Sequence, residues 1–161
     1  MAKVNTKTNH IKNCIDKDES FASFLHLSEN INWIDGIPSR VHGFTRKACP
    51  LSFGDNEIVD KLIIHALEKI NIQQNSYRVY GIYLNYYRDG NDFTPSHSHQ
   101  NTDQVVISLG ATRELIIGKK SYKMESGDVI MFGSAVHGIP KDLNCTNGRI
   151  SIAMFIGKNT S

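Results

Sequence analysis

Residues 77–109 read YRVYGIYLNYYRDGNDFTPSHSHQNTDQVVISL, and the fold follows from how they divide. Tyr77 to Tyr87 is aromatic and β-branched, the composition of a strand. Arg88-Asp89-Gly90-Asn91-Asp92 is a cluster of turn formers. Gln104 to Leu109 is a short apolar run of strand length, which predicts a buried strand. Further on, Glu114–Ile117 and Ser121–Met124 flank Gly118-Lys119-Lys120 and predict a hairpin, with Lys119, Lys120 and Lys123 on a solvated edge. Ser126-Gly127-Asp128 is a turn before Val129–Phe132, and Arg149–Ile156 is a last strand. Many short strands separated by turn signals predict a β-sandwich or barrel.

Upstream the pattern is helical. In DNEIVDKLIIHALEKI, residues 55–70, the side chains Val59, Leu62, Ile63, Ala66 and Ile70 recur at helical spacing and form one apolar face. Asp55 is placed to cap this helix and Glu57 suits its positive end. His65 lies within it with no partner one turn away and reads as an ordinary helical histidine. Phe21–Leu27 predicts a short helix capped by Ser20, and residues 1–19 a loose polar arm. The rest, residues 20–161, is expected to be one domain, since 161 residues suit one core.

Composition bounds the function. Hydrophobic residues at 40% and charged residues at 21% are ordinary for a globular chain. A net charge of +2, scattered along the chain, shows no basic footprint for nucleic acid. Cys14, Cys49 and Cys145 are odd in number and widely spaced, which excludes a disulfide framework or a zinc knot. No apolar run approaches the roughly 20 residues that span a bilayer, and the first residues lack the apolar block of a signal peptide. A soluble intracellular protein, cytoplasmic or nuclear, is expected.

Three features carry chemistry. His97-Ser98-His99 places two imidazoles at i and i+2, which share one side of an extended chain and suit iron, zinc, copper or nickel; a solvated polar loop is the plainer reading. His137, between Val136 and Gly138-Ile139-Pro140, is a third donor if a sandwich folds it back onto that pair, and otherwise a turn residue. Arg149 opens an apolar strand, where a cation is costly unless an anion meets it. Arginine is suited to a bidentate carboxylate, although a strand-edge arginine in water fits the sequence equally.

The order of these elements is distinctive: Asn85-x-Tyr87, His97-x-His99, Ser108-Leu109-Gly110-Ala111-Thr112-Arg113, Gly127-Asp128, His137 and Arg149. It resembles the AlkB-like iron(II)- and 2-oxoglutarate-dependent dioxygenases, which demethylate alkylated bases. Their members carry N-x-Y, H-x-D, S-L-G/F-G-A-T-R, G-D, a distal histidine before V-P, and R-x5-R. Trp33 and the stretch from Phe44-Thr45-Arg46-Lys47 to Phe53-Gly54-Asp55 are similar to earlier family segments, so the resemblance covers about residues 31 to 156.

What the resemblance implies is a mainly β double-stranded β-helix, or jelly roll, with N-terminal accessory helices packed on one side. It implies Fe(II) on His97, His137 and, in place of the family aspartate, His99. It further implies 2-oxoglutarate held by Asn85, Tyr87 and Arg149, dioxygen as oxidant, and alkylated single-stranded DNA or RNA as substrate, with Asn101 near the target base. No membrane or obligate protein partner is implied. Two positions depart from the pattern. His99 replaces the carboxylate ligand, with Asp103 an alternative carboxylate if the chain bulges. Phe155 replaces the second arginine, which in the family helps hold the 2-oxoglutarate end nearest the iron.

Overall fold

A computed structural model describes residues 7–72 and 76–158; the first six residues of the expected arm, residues 73–75 and the last three residues of the expected domain lie outside the described residues. The strands are β1 (Asn9–Ile11), β2 (Ile34–Asp35), β3 (Lys47–Leu51), β4 (Tyr77–Tyr87), β5 (Thr94–His97), β6 (Asp103–Gly110), β7 (Arg113–Ile117), β8 (Lys120–Met124), β9 (Val129–Phe132), β10 (His137–Ile139) and β11 (Arg149–Lys158). Two helices, α1 (Lys17–Asn30) and α2 (Glu57–Ile70), precede β4. A seven-stranded sheet runs β1-β9-β6-β11-β4-β3-β2, and a four-stranded sheet runs β5-β10-β7-β8. The strands pair antiparallel, as a jelly roll requires.

The large sheet is covered on both faces. Outside, Leu84, Ile107, Leu109, Ile150 and Ile152 pack with Leu27 of α1 and with Val59, Leu62, Ile63 and Ala66 of α2. Inside, Tyr87, Val106, Ile130, Phe132 and Ala153 meet Leu115, Ile117, Met124 and Ile139 of the small sheet. Burial on both faces is why β6, β9 and β11 read as continuous apolar runs rather than alternating ones. By contrast β7 alternates: Arg113, Leu115 and Ile117 are buried, while Glu114 and Ile116 are not.

The helix starts differ from the sequence expectation. α1 begins at Lys17, with Asp16 as its cap accepting from the Glu19 N–H. Ser20 is inside the helix, fully buried, with its hydroxyl bonded to Ser126. α2 is capped by Asn56, which accepts from the Val59 N–H, while Asp55 accepts from the Ser52 N–H one turn back. The stretch expected to be a loose arm, residues 1–19, contains β1 and the start of α1, and β1 adds to the sheet edge at β9. Asp128, fully buried, ties this segment down: its carboxylate accepts from the Asn13 and Glu125 N–H groups and meets His10 Nε2 at 3.2 Å. The expected hairpin forms, with β7 paired to β8 around Gly118 and Lys119, Lys120 and Lys123 exposed. The three cysteines are free, and no helix among the described residues is long and apolar enough to cross a membrane.

Candidate metal centre and anion pocket

The pairing of β10 with β5 sets His137 directly across from His97, and neighbouring side chains on one face of a sheet meet. Their ring centroids lie 4.4 Å apart. Gly138 permits this approach, because a Cβ there would stand 2.9 Å from the Thr94 carbonyl oxygen. His99 lies just past the end of β5, not within the strand as the i, i+2 reading supposed. It still turns back, with its ring 4.8 Å from His97 and 5.6 Å from His137. Phe155, on β11, packs edge-on against it at 4.8 Å. The donor nitrogens of the three histidines all lie within 4.8 Å of one another. Asp103, the alternative carboxylate, opens β6 and is not part of this group.

The tautomers follow from the backbone. His97 Nδ1 lies 2.8 Å from the Pro95 carbonyl oxygen, and His137 Nδ1 lies 2.9 Å from that of Ala135. A carbonyl only accepts, so each Nδ1 carries a hydrogen and, in the neutral ring, each Nε2 carries the lone pair. That arrangement presents neutral imidazole donors with their orientation already set. Burial pushes the His137 imidazole down to about 4, with the Ala135 bond opposing and His97 and His99 adding to the fall. Burial and His97 likewise lower His99. Both therefore stay neutral, and open to a metal, at neutral pH.

These shifts make a testable statement about the metal-free protein. A histidine whose folded value lies below its unfolded value of about 6.5 binds fewer protons when folded. Its neutral burial is fully accommodated above about pH 6.5. It costs stability progressively as pH falls toward 4, because the unfolded chain takes up a proton that the folded one refuses. Denaturant midpoints of the apo-protein across this range should fall less steeply in His137→Ala than in the native chain. Equal slopes would remove the buried neutral imidazole from consideration.

The opposite end of the inner space is built around Arg149. It is 1% exposed. Its Nε donates to Ser108 Oγ at 2.8 Å, and its guanidinium lies over the Tyr87 ring, 5.3 Å from the centroid. Burial pushes the guanidinium below its ordinary value, and the neighbouring Tyr87 side chain opposes this. Nη1 and Nη2 are both buried without a hydrogen-bond partner. A planar fork with two free donors is the complement of a carboxylate.

The remaining expected residues, Tyr87, Asn85 and Asn101, differ in their surroundings. Tyr87, buried beside Arg149, shares a 2.6 Å hydrogen bond with Thr94 Oγ1. Asn85 accepts from Arg46 Nε at 3.0 Å and contacts Ser151 Oγ at 3.5 Å. Asn101 is exposed in a turn with φ +63°, a left-handed conformation that asparagine tolerates. His65 is bonded to the Cys14 carbonyl oxygen, away from the histidine group.

Sequence reasoning gave no role to three residues. Arg46 holds Asn85. Arg113, 1% exposed, gathers the carbonyl oxygens of Asp89, Asp92 and Pro140 and so fixes the loop before β5 to the end of β10. Gln104, 3% exposed, sets its amide nitrogen 3.3 Å from His137 Nε2. The signal for Gln104 was its parity with Ser108: a polar residue at i and i+4 of an apolar strand faces the same interior.

No family model matches the sequence, and no curated protein matches it. Solved structures do match the fold. HygX from Streptomyces hygroscopicus, with nickel, 2-oxoglutarate and hygromycin B bound, superposes with a TM-score of 0.72 at 12% identity, over 96% of this chain and 84% of that one. A prolyl-4-hydroxylase from Pseudomonas putida gives 0.61 at 14% identity, over 95% and 93%. A Burkholderia pseudomallei oxidoreductase of the 2OG-Fe(II) oxygenase family gives 0.67 at 15%, over 96% and 86%. The chain therefore has the jelly-roll-like fold of the 2-oxoglutarate- and iron-dependent oxygenases.

Proposed function

We propose that this chain is a 2-oxoglutarate-dependent oxygenase that takes Fe(II) on His97, His99 and His137 and the distal carboxylate of 2-oxoglutarate on Arg149. The observation that carries this is the Arg149 fork, with two free donors, buried in the same jelly-roll interior as a three-histidine group. Nothing in the fold requires a buried cation there, and a charge without its anion is costly. When bound, iron supplies activation of dioxygen coupled to decarboxylation of the 2-oxo acid. The chain's own work is to hold and orient. His97 and His137 offer fixed Nε2 lone pairs, and Tyr87 flanks the carboxylate end. Phe132 and Phe155 pack against His137 and His99 and hold those two rings in place.

For the substrate, the ordered motifs from Asn85 to Arg149 favour a methyl group on a base of single-stranded DNA or RNA, with Asn101 at the rim. Tyr80 and Tyr83, 56% and 46% exposed, offer faces on which a base can stack, and Tyr83 packs on Phe155 beside His99. Hydroxylation of a peptide or small molecule is the second reading. It is favoured by the prolyl hydroxylases and the hygromycin-bound HygX among the fold neighbours and by the scattered charge.

Succinate release from iron-loaded protein tests the chemistry, and its increase with methylated oligonucleotides, peptides or aminoglycosides sorts the substrates. No succinate with any of them would leave a binding module in place of an enzyme. His99→Asp gives the site the carboxylate that the resemblance expects. It should bind Fe(II) at least as tightly as the native chain, because a hard anionic oxygen replaces a neutral nitrogen. Turnover in His99→Asp should rise. If it vanishes, the three-histidine site is itself the adapted catalyst.

A further inference from the structure

Gln104 opens the apolar body of β6, and the register of the large sheet sets it between Phe132 of β9 and Phe155 of β11. Those two rings also pack against His137 and His99 respectively. The amide is thus enclosed by aromatic walls, with its nitrogen 3.3 Å from His137 Nε2. A buried amide is costly without a partner, and here it donates to the His137 lone pair. That lone pair is the one His137 turns toward His97 and His99, since its Nδ1 is committed to the Ala135 carbonyl. A lone pair serves one partner. An ion that takes it leaves the buried Gln104 N–H without that acceptor.

Resting on the oxygenase assignment, we propose that Gln104 is the residue that holds the metal end of the co-substrate: its side-chain N–H donates to a carboxylate oxygen of a 2-oxo acid at the ion. Its place in β6, beside His137, sets a buried donor at that end. Phe155, its direct neighbour across the sheet, brings no donor and no charge. Arg149 serves the other end of the co-substrate, anchored to Ser108, four residues along the same inner row of β6. Gln104 and Ser108 share that row because alternate residues of a strand face one side. The two ends of a dicarboxylate would then be read by one strand, Gln104 directly and Ser108 through Arg149. Gln104 also holds the His137 lone pair while no ion is bound, so metal and amide compete until a carboxylate arrives to accept the N–H. Co-substrate binding and metal binding are thereby coupled in the favourable direction.

The test uses nickel(II)-loaded full-length protein, which does not turn over, and calorimetric titration with two probes. 2-Oxoglutarate reaches both ends of the site; oxalate chelates the ion but is too short for Arg149. In Gln104→Leu, and in the closer-shaped Gln104→Met if the first folds poorly, both probes should bind about ten- to a hundredfold more weakly, the range for a hydrogen bond to a charged group. Nickel affinity in the same variants should be unchanged or higher, because the competing donor is gone. Arg149→Met should weaken 2-oxoglutarate and leave oxalate untouched. Oxalate affinity within twofold of native in both Gln104 variants overturns the proposal. So does a fall in nickel affinity, which would make the amide a ligand of the ion instead. Native nickel protein that binds neither probe refutes the oxygenase assignment itself, an outcome distinct from either of these.

Discussion

His137→Ala lowers affinity for a divalent ion by more than about 100-fold and leaves the protein folded, and His97→Ala does the same. Loss of a group that merely supports a metal ligand costs about 10–100-fold, and loss of the donor itself exceeds that. The two histidines are the pair whose Nε2 donors are fixed, by Nδ1–H bonds to the Pro95 and Ala135 carbonyls. Folding should survive because neither side chain belongs to the aliphatic packing between the sheets. Removing His137 also abolishes the burial of a neutral imidazole held near pH 4, so apo-protein stability below pH 6.5 should be retained better than in the native chain. Metal content after dialysis, with far-UV circular dichroism, checks both halves. If either variant keeps full metal content, the ion is held elsewhere. If the variants are unfolded, the histidines are architectural.

Arg149→Met separates function from stability more sharply. Binding of 2-oxoglutarate should fall by two to three orders of magnitude, from roughly 3–5 kcal/mol for breaking a buried charge pair at about 1.4 kcal/mol per tenfold. The melting midpoint of the co-substrate-free protein should stay level or rise. In that form Nη1 and Nη2 meet no hydrogen-bond geometry and have the Tyr87 side chain beside them, and replacing a buried charge without an anion by an apolar side chain of similar length removes a desolvation cost. The opposing losses are the Nε bond to Ser108 and the stacking over Tyr87. A variant that melts much lower and still binds 2-oxoglutarate at native strength would make Arg149 a structural staple, as Arg113 is. Arg113 is equally buried, yet two of its nitrogens bond to three backbone carbonyl oxygens. The contrast between these two arginines, one with its terminal donors spent and one with them free, identifies which awaits a ligand.

Both arginines open their strands, Arg113 at β7 and Arg149 at β11, and nothing in their immediate sequence tells them apart. The difference is made by what the chain brings from a distance: Asp89, Asp92 and Pro140 in one case, Ser108 and Tyr87 in the other. The helix caps fail on a smaller scale. Asp55 and Asn56 are both good capping residues in adjacent positions, and local preference does not choose between them; Asp55 is drawn to the Ser52 N–H and Asn56 takes the helix. Ser20 has the chemistry of a cap but is claimed by Ser126, which packing brings from the turn before β9. β1 lacks any strand signature, since Asn9-His10-Ile11 is a strand only because the β9 edge and the Asp128 carboxylate receive it.

The strand-rich half, the 114–124 hairpin, α2 and the histidines at issue were legible in the order of residues. These depend on local properties: β-branched and aromatic runs, turn formers, a 3.6-residue apolar period and the chemistry of imidazole. Tertiary structure alone decided that His137 faces His97, because that is a matter of register between β10 and β5, and a shift of one residue would turn the ring to the other face. It alone decided that His99 returns to the group after the strand has ended, supported by Phe155 from a strand far along the chain. And it alone decided that Arg149 is buried with its fork free while Gln104 shares a lone pair with His137. Burial and hydrogen-bond satisfaction are properties of neighbours in space, and no run of residues carries them before the sheets close.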